Sequence, residues 1–336
     1  MTSDYQLFNL DEFELQSGVV LARATLAYKT YGKLNRAKDN VVVLPTFYTG
    51  NHTRNEGFFG AGRGIDPERH FIVSINMFGN GISSSPSNTP APHNGAAFPK
   101  ITLYDNIKAQ HRLLTDALGV TQIALVTGWS MAGCQSYQWA AQYPNMVDAI
   151  LPFCASAKTA EHNWVFLEGV KAALQADASY DGGNYQTPPD KGLKAFGRVY
   201  AGWAFSQTFF RDKIYRQQGF NSAEELLQDW EEDHLQWDAN DLLCKLSSWQ
   251  RGDISLQPLY QGDFPKALAA IKARTIVIAC DNDLYFRPED NALEVEHIKN
   301  SELRIYHSAW GHCVASPGND PAFQDYLDTA VRDLIS

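Results

Sequence analysis

A mostly parallel α/β sheet with helices on both faces, interrupted late by a helical insertion, is the fold class that this sequence predicts. Three observations predict it. Short, β-branched apolar runs alternate with helix-patterned stretches over the first 156 residues. Strand-like runs then become scarce between Lys158 and about Gly262, where Trp, Phe and Tyr gather among helical patterns. The strand signature returns at 273–281 and 303–307, ahead of a closing amphipathic stretch.

The elements follow in order. NVVVLPTF (40–47), HFIVSINMF (70–78), TQIALVTG (121–128) and VDAILPFC (147–154) are continuous apolar runs, the pattern of strands covered on both faces. Between the second and third, YDNIKAQHRLLTDALG (104–119) repeats Ile107, Leu113, Leu114 and Leu118 at helical spacing, with Gly119 as its stop. AGCQSYQWAAQYP (132–144) reads as a helix ended near Pro144. Such strand–helix alternation predicts a parallel sheet. EELLQDWEEDHLQWDANDLLCKL (224–246) reads as one long helix, and DPAFQDYLDTAVRDLIS (320–336) as the last. We therefore expect a core of residues 1–156 and 266–336. Residues 157–265 are expected to form a helical lid over the strand ends, where open α/β sheets place their sites. The Pro-, Ser- and Asn-rich stretch 82–99 is a long loop.

Composition narrows the function. Lys and Arg number 28 against 38 Asp and Glu, a net charge of -10. That balance argues against nucleic acid or an anionic membrane as partner, since both demand a basic surface. Five cysteines, none in a C-x-x-C or other metal-ligand spacing, read as reduced thiols. The polar, acidic start has no signal-peptide character, and no run is long enough to span a bilayer, so the cytoplasm is expected.

One serine stands out. ALVTGWSMAGCQ (124–135) takes a buried strand to Gly128 and a helix from soon after Ser130. So short a connection forces a strained turn that projects the serine hydroxyl from the sheet edge. Gly128, Ala132 and Gly133 are small where helix and strand must pass closely, although Ala132 stands where such turns carry glycine. The new helix also offers the N–H of Met131 to a developing oxyanion. A second donor is expected from PTFYTGNHTRNEG (45–57), with Tyr48 or Phe47 supplying it. A serine nucleophile needs a base and an orienting acid. TIVIACDNDLYF offers Asp283, with Asp281 as competitor, and the loop SAWGHCVAS offers His312. Asp283 lies beyond the strand end and can bend back to the histidine, whereas Asp281 suits the turn itself.

These residues carry a resemblance. The chain resembles the homoserine O-acetyltransferase group of the α/β-hydrolases through ATLAYKTYGKLN, TGNHT, GIDPERHFIVSINMFGNGISSSPS, GWSMAGCQSYQWAAQYP, DNDLYFRPED and the final GH. The resemblance implies an α/β-hydrolase fold, Ser130 as nucleophile, Asp283 as acid, His312 as base, and the N–H groups of Tyr48 and Met131 as oxyanion hole. It also implies Arg198, in GLKAFGRVYAGWAFS, as the group that receives a substrate carboxylate, and a homodimer. Where the family holds an ammonium with an aspartate and a tyrosine, this chain has Cys313 and Phe205.

The expected activity is serine-dependent acyl transfer through an acyl-enzyme, to water or to an alcohol, on a small-molecule ester or acyl donor. No tightly bound cofactor or metal is implied, and acyl-coenzyme A is the analogous donor if the acceptor is an alcohol. A true homoserine O-acetyltransferase and a catalytically silent binding module are the alternatives. A fluorophosphonate probe should label Ser130, and Ser130→Ala should abolish labelling and turnover while circular dichroism stays that of the folded chain. Labelling of another serine would refute the assignment.

Overall fold

The computed structural model describes residues 4–335. Eight strands form one sheet: β1 (Gln6–Glu14), β2 (Val20–Tyr31), β3 (Val41–Pro45), β4 (Phe71–Ile75), β5 (Leu125–Trp129), β6 (Ala149–Phe153), β7 (Arg274–Cys280) and β8 (Ser301–Tyr306). Their spatial order is β1-β2-β4-β3-β5-β6-β7-β8. The six strands from β3 onward are parallel and coincide with the six apolar runs of the sequence. β3 and β6 are buried at every position, which is why they carry no alternation.

The amino-terminal hairpin was not evident from the pattern. β1 pairs antiparallel with β2, and β2 antiparallel with β4. The register of β1 slips around Asp11, whose φ of 50° marks a bulge, so its period of two is broken.

Among the described residues, ten α-helices accompany the sheet. α1 (Leu103–Arg112) starts with a reciprocal Thr102–Asp105 capping box and runs into a wider turn over Leu113–Ala117, before Gly119 at φ 62°. α2 (Met131–Gln142) is buried along its whole length. Between β6 and β7 come α3 (Glu161–Gln175), α4 (Asp190–Ala204), α5 (Gln207–Arg211), α6 (Ala223–Leu235), α7 (Ala239–Gln250) and α8 (Phe264–Ala269). α9 (Pro288–Val295) links β7 to β8, and α10 (Pro321–Ile335) closes the fold. The single helix expected over 224–246 is two. The Asp238 side chain accepts the N–H of Asp241 (3.0 Å) and starts α7 afresh, a cap that hydrophobic spacing does not reveal. No helix among the described residues is long and apolar enough to cross a membrane.

Two apolar layers flank the sheet. One lies under α1 and α2, with Trp139, Tyr137 and Ile107 fully buried. The other joins the sheet to α3, α4, α7 and α10 through Phe153, Phe166, Phe196, Trp249 and Phe323. Where the chain leaves the sheet for the helical segment, buried Glu294 of α9 accepts the N–H of Ala157 (2.7 Å) and the amide of Asn291 (2.9 Å). Burial pushes its carboxyl up to about 7, from an ordinary 4.5. The denatured chain releases this proton near 4.5, while the folded chain keeps it to about 7. The folded state therefore binds more protons in that window, and this residue's contribution to stability falls as pH rises through it. Glu294→Gln should flatten the decline, seen as a smaller fall in urea midpoint across the same pH range.

Candidate active site

Ser130 occupies the turn between β5 and α2 with φ 59° and ψ −127°, a backbone that non-glycine residues avoid at a cost of about 1–3 kcal/mol. The fold holds it there from both sides. Its N–H donates to Phe153 O of β6 (3.1 Å), and its carbonyl receives the N–H of Cys134 (3.0 Å). Close packing accounts for the small neighbours. A Cβ on Gly128 would stand 2.3 Å from the Ala132 methyl, and one on Gly133 would stand 2.4 Å from that of Ala155. Ala132 is thus accommodated because Gly128 opposite it has no side chain.

The loop after β3 is tied to the same helix. Gln135 of α2 donates to Thr46 O (2.9 Å), Gln110 of α1 donates to Gln135 (2.7 Å), and Trp139 donates to Gln110 (2.8 Å). All four residues are buried, so the network fixes the residues just before Tyr48 relative to the start of α2. The Tyr48 hydroxyl donates to Leu242 O of α7 (3.0 Å), anchoring the ring under the helical segment. The first N–H groups of α2, Met131 foremost, have no acceptor within their own helix.

The two remaining groups meet. His312, in the short 3-10 turn Gly311–Ala315, lies 2.7 Å through Nδ1 from Asp283 Oδ2. The other oxygen of Asp283 accepts the N–H groups of Tyr285 (2.7 Å) and Phe286 (3.2 Å), and its residue is fully buried. Arg287 clamps the loop by donating to the carbonyls of Asp281 (2.8 Å) and Asp283 (3.0 Å). Asp281 turns elsewhere, accepting the Ser308 N–H (3.1 Å) and facing His307 Nδ1 (3.0 Å). With Nδ1 engaged by the acid, Nε2 is the nitrogen left for proton transfer.

Aromatic rings enclose the imidazole. Trp129, the residue before Ser130, stacks on His312 at 5.1 Å between centroids, and Tyr285 lies 4.5 Å away. Phe166 of α3 and Tyr200 of α4 pack on Tyr285, while Trp249 of α7 packs on Tyr285 and Phe286. Ser130 and His312 are 3% and 4% exposed, so water reaches them poorly. Cys154 offers its thiol within 4.8 Å of ligating atoms of Asp283 and His312. Burial, then the Asp283 charge, raises its pKa well above the usual thiol range, so it stays a neutral neighbour.

Arg198 does not join this group. It lies on the outer side of α4, where its guanidinium is taken by Glu231 and Glu224 of α6, and Lys194 reaches the same Glu231 (3.6 Å). The residue expected as carboxylate receptor is thus engaged in an ion pair between two helices. A position in a motif names a residue, whereas the acids of a neighbouring helix decide where its side chain goes. Cys313 and Phe205 are both buried, and Phe205 stacks on Phe209 at 4.1 Å.

A family model described as the alpha/beta hydrolase fold matches residues 39–316. The chain belongs to the α/β-hydrolase fold family. It is similar to an ethyl acetate hydrolase of Pseudomonas veronii, 33% identical over 336 residues that cover 99% of this chain and 95% of that one. It is also similar to a homoserine O-acetyltransferase of Trichormus variabilis, 32% identical over 317 residues, 89% of this chain and 86% of the other. The solved acetyl esterase MekB superposes with a TM-score of 0.96 at 33% identity, covering 99% of this chain and 97% of that one. This α/β-hydrolase is an enzyme of serine-dependent acyl transfer, an ester hydrolase or O-acyltransferase working on small molecules.

The two acids separate in a simple comparison. Asp283→Asn should lower kcat on the order of 10⁴-fold, because an amide neither selects the imidazole tautomer nor stabilises the imidazolium. Asp281→Asn should cost far less, since that carboxylate ties a turn. Steady-state kinetics of the two variants, with reversed effects, would move the acid by two residues.

Proposed function

We propose that the protein is a carboxylic ester hydrolase for short acyl esters, acetyl esters first, and that residues 157–265 form its lid. The observation that carries the chemistry is the 2.7 Å contact of His312 with buried Asp283, on the far side of an imidazole that stacks against the residue preceding strained Ser130. Ser130 Oγ attacks the ester carbonyl as His312 Nε2 takes its proton. The N–H groups of Met131 and Tyr48 receive the oxyanion. Collapse expels the alcohol, which leaves with the proton from His312, and the acyl group stays on Ser130. Water, deprotonated by His312, then attacks the acyl-enzyme and releases the acid. Asp283 keeps Nδ1–H in place throughout and remains ionised.

Water is favoured over homoserine as acceptor for a physical reason. A zwitterion entering this enclosed, aromatic site needs a partner for its ammonium, and an unpaired charge there is costly. The positions matched to the family's ammonium contacts hold the thiol of Cys313 and the phenyl ring of Phe205. Burial pushes that thiol up, away from the thiolate that could have paired with a cation. The names of the relatives, an ethyl acetate hydrolase and an acetyl esterase, agree with small esters. The five unpaired cysteines suit a reducing compartment, and we place the enzyme in the cytoplasm.

The test is partitioning of the acyl-enzyme. With an acetyl ester as donor, acetate should be released at the same rate with and without homoserine, and O-acetylhomoserine should not accumulate. Faster discharge to homoserine than to water would make the enzyme a homoserine O-acetyltransferase instead, with acyl-coenzyme A as the donor to try next. Cys313→Asp with Phe205→Tyr should shift partitioning toward homoserine, because a hydrogen bond to a charged group contributes about 1.5–3 kcal/mol.

A further inference from the structure

The base of the proposed reaction becomes a cation in a place that water reaches poorly. His312 is neutral while its Nδ1–H faces Asp283, and it gains a charge when Nε2 takes the proton of Ser130 Oγ. With the residue only 4% exposed, the imidazolium lacks the solvent that would otherwise stabilise it. Asp283 meets the ring at Nδ1, and the nearby Cys154 thiol stays neutral. What covers the faces of the imidazole therefore bears on the height of the barrier.

Aromatic rings cover them. Trp129 is stacked on the imidazole, 30° from parallel with 5.1 Å between centroids, so that a π-face is presented to the group that becomes charged. Tyr285 (4.5 Å) and Phe286 (5.6 Å) are tilted at 57° and 40° on other sides. These two belong to the loop of the acid, where their N–H groups hold the Asp283 carboxylate. Trp129 has a different origin. It is the last residue of β5, so a single peptide unit joins the ring over the base to the serine that the base deprotonates.

Packing holds the indole, and its polar atom does not. Nε1 is buried with no hydrogen-bond partner among the described residues. The backbone of Trp129 is fixed in register with Phe153 of β6. Phe47, from the loop after β3, packs on the indole at 4.9 Å. Phe47 is seated in turn against Gly50, where a Cβ would stand 2.8 Å from the phenyl ring. Phe47, Trp129 and His312 thus form one run of ring contacts from the loop of Tyr48 to the base.

We propose that Trp129 is a positioning residue whose π-face stabilises the His312 imidazolium each time the base takes up a proton. The proton balance is that of the reaction itself: the proton passes from Ser130 Oγ to Nε2 and on to the departing alcohol. A neutral imidazole gains little from the indole quadrupole and an imidazolium gains more, so the contribution belongs to the transition state. It acts on kcat and leaves KM alone. This rests on Ser130 and His312 acting as nucleophile and base.

The test keeps the shape of a ring and reverses its charge distribution. Position 129 of the full-length enzyme receives phenylalanine (Trp129→Phe) or, by suppression of a stop codon, p-fluorophenylalanine or pentafluorophenylalanine, the last with a face that repels cations. On an acetyl ester, kcat should fall a few-fold in Trp129→Phe and roughly a further tenfold with the pentafluorinated ring, at constant KM. The monofluorinated ring should lie between. A trifluoromethyl ketone, whose adduct with Ser130 holds the imidazolium without turnover, should lose affinity in the same order. Equal kcat for the three rings overturns the proposal, because a ring that only packs is indifferent to the sign of its face. A loss expressed in KM overturns it too, and would make the side chain a substrate contact. Turnover surviving in His312→Ala would instead refute the base, which is a separate result.

Discussion

The backbone turn at Ser130 is the constraint that sets the strand–helix half of this site and the loop tied to it. A positive φ on a serine is unfavourable by itself, and it persists because β6 and α2 each hold one side of the peptide unit. Its consequences reach outward. The helix must pass within contact of the strand, so Gly128 cannot carry a side chain and Ala132 can carry only a methyl. The start of α2 is thereby set beside the serine, and the buried Gln135–Gln110–Trp139 network carries that position to the loop bearing Tyr48.

The second half of the site is built independently and meets the first through packing. Asp283 and His312 come from loops after β7 and β8, two neighbouring parallel strands. Their mutual contact is local to that edge. The imidazole is held beside the residue preceding Ser130 by the stack of Trp129 on His312, with Tyr285 on another side. Helices α3, α4 and α7 press aromatic rings on Tyr285 and Phe286, so the helical segment takes part in burying the His312 imidazole. Exclusion of water strengthens every hydrogen bond in the site, and for the same reason it penalises any ionic group that enters without a partner.

That penalty organises the charges of the helical segment. Arg198, near the surface, finds two glutamates on the adjacent helix and is satisfied there. Lys245, under Trp237, finds aromatic faces in place of a carboxylate. Two basic residues of one segment thus differ in how they are satisfied, one by carboxylates and the other by aromatic faces.

Much of this enzyme is legible in its sequence. The inner parallel strands are continuous apolar runs because both their faces are covered, whereas the edge strand β8 is only partly buried, and the serine turn shows as small residues between a strand and a helix. Chain order then singles out an acid and a base. The tertiary structure decided what depends on partners distant in sequence. It admitted the bulged hairpin of β1 and β2, whose pairing replaces alternation as the signal, and it split the 224–246 helix at a cap formed by Asp238. It chose between Asp281 and Asp283 by which carboxylate the loop turns inward, and it drew Arg198 away to Glu224 and Glu231. The physical reason is common to all four. Apolar periodicity records burial along one element, whereas hydrogen bonds and ion pairs are settled by whichever partner the folded chain brings near.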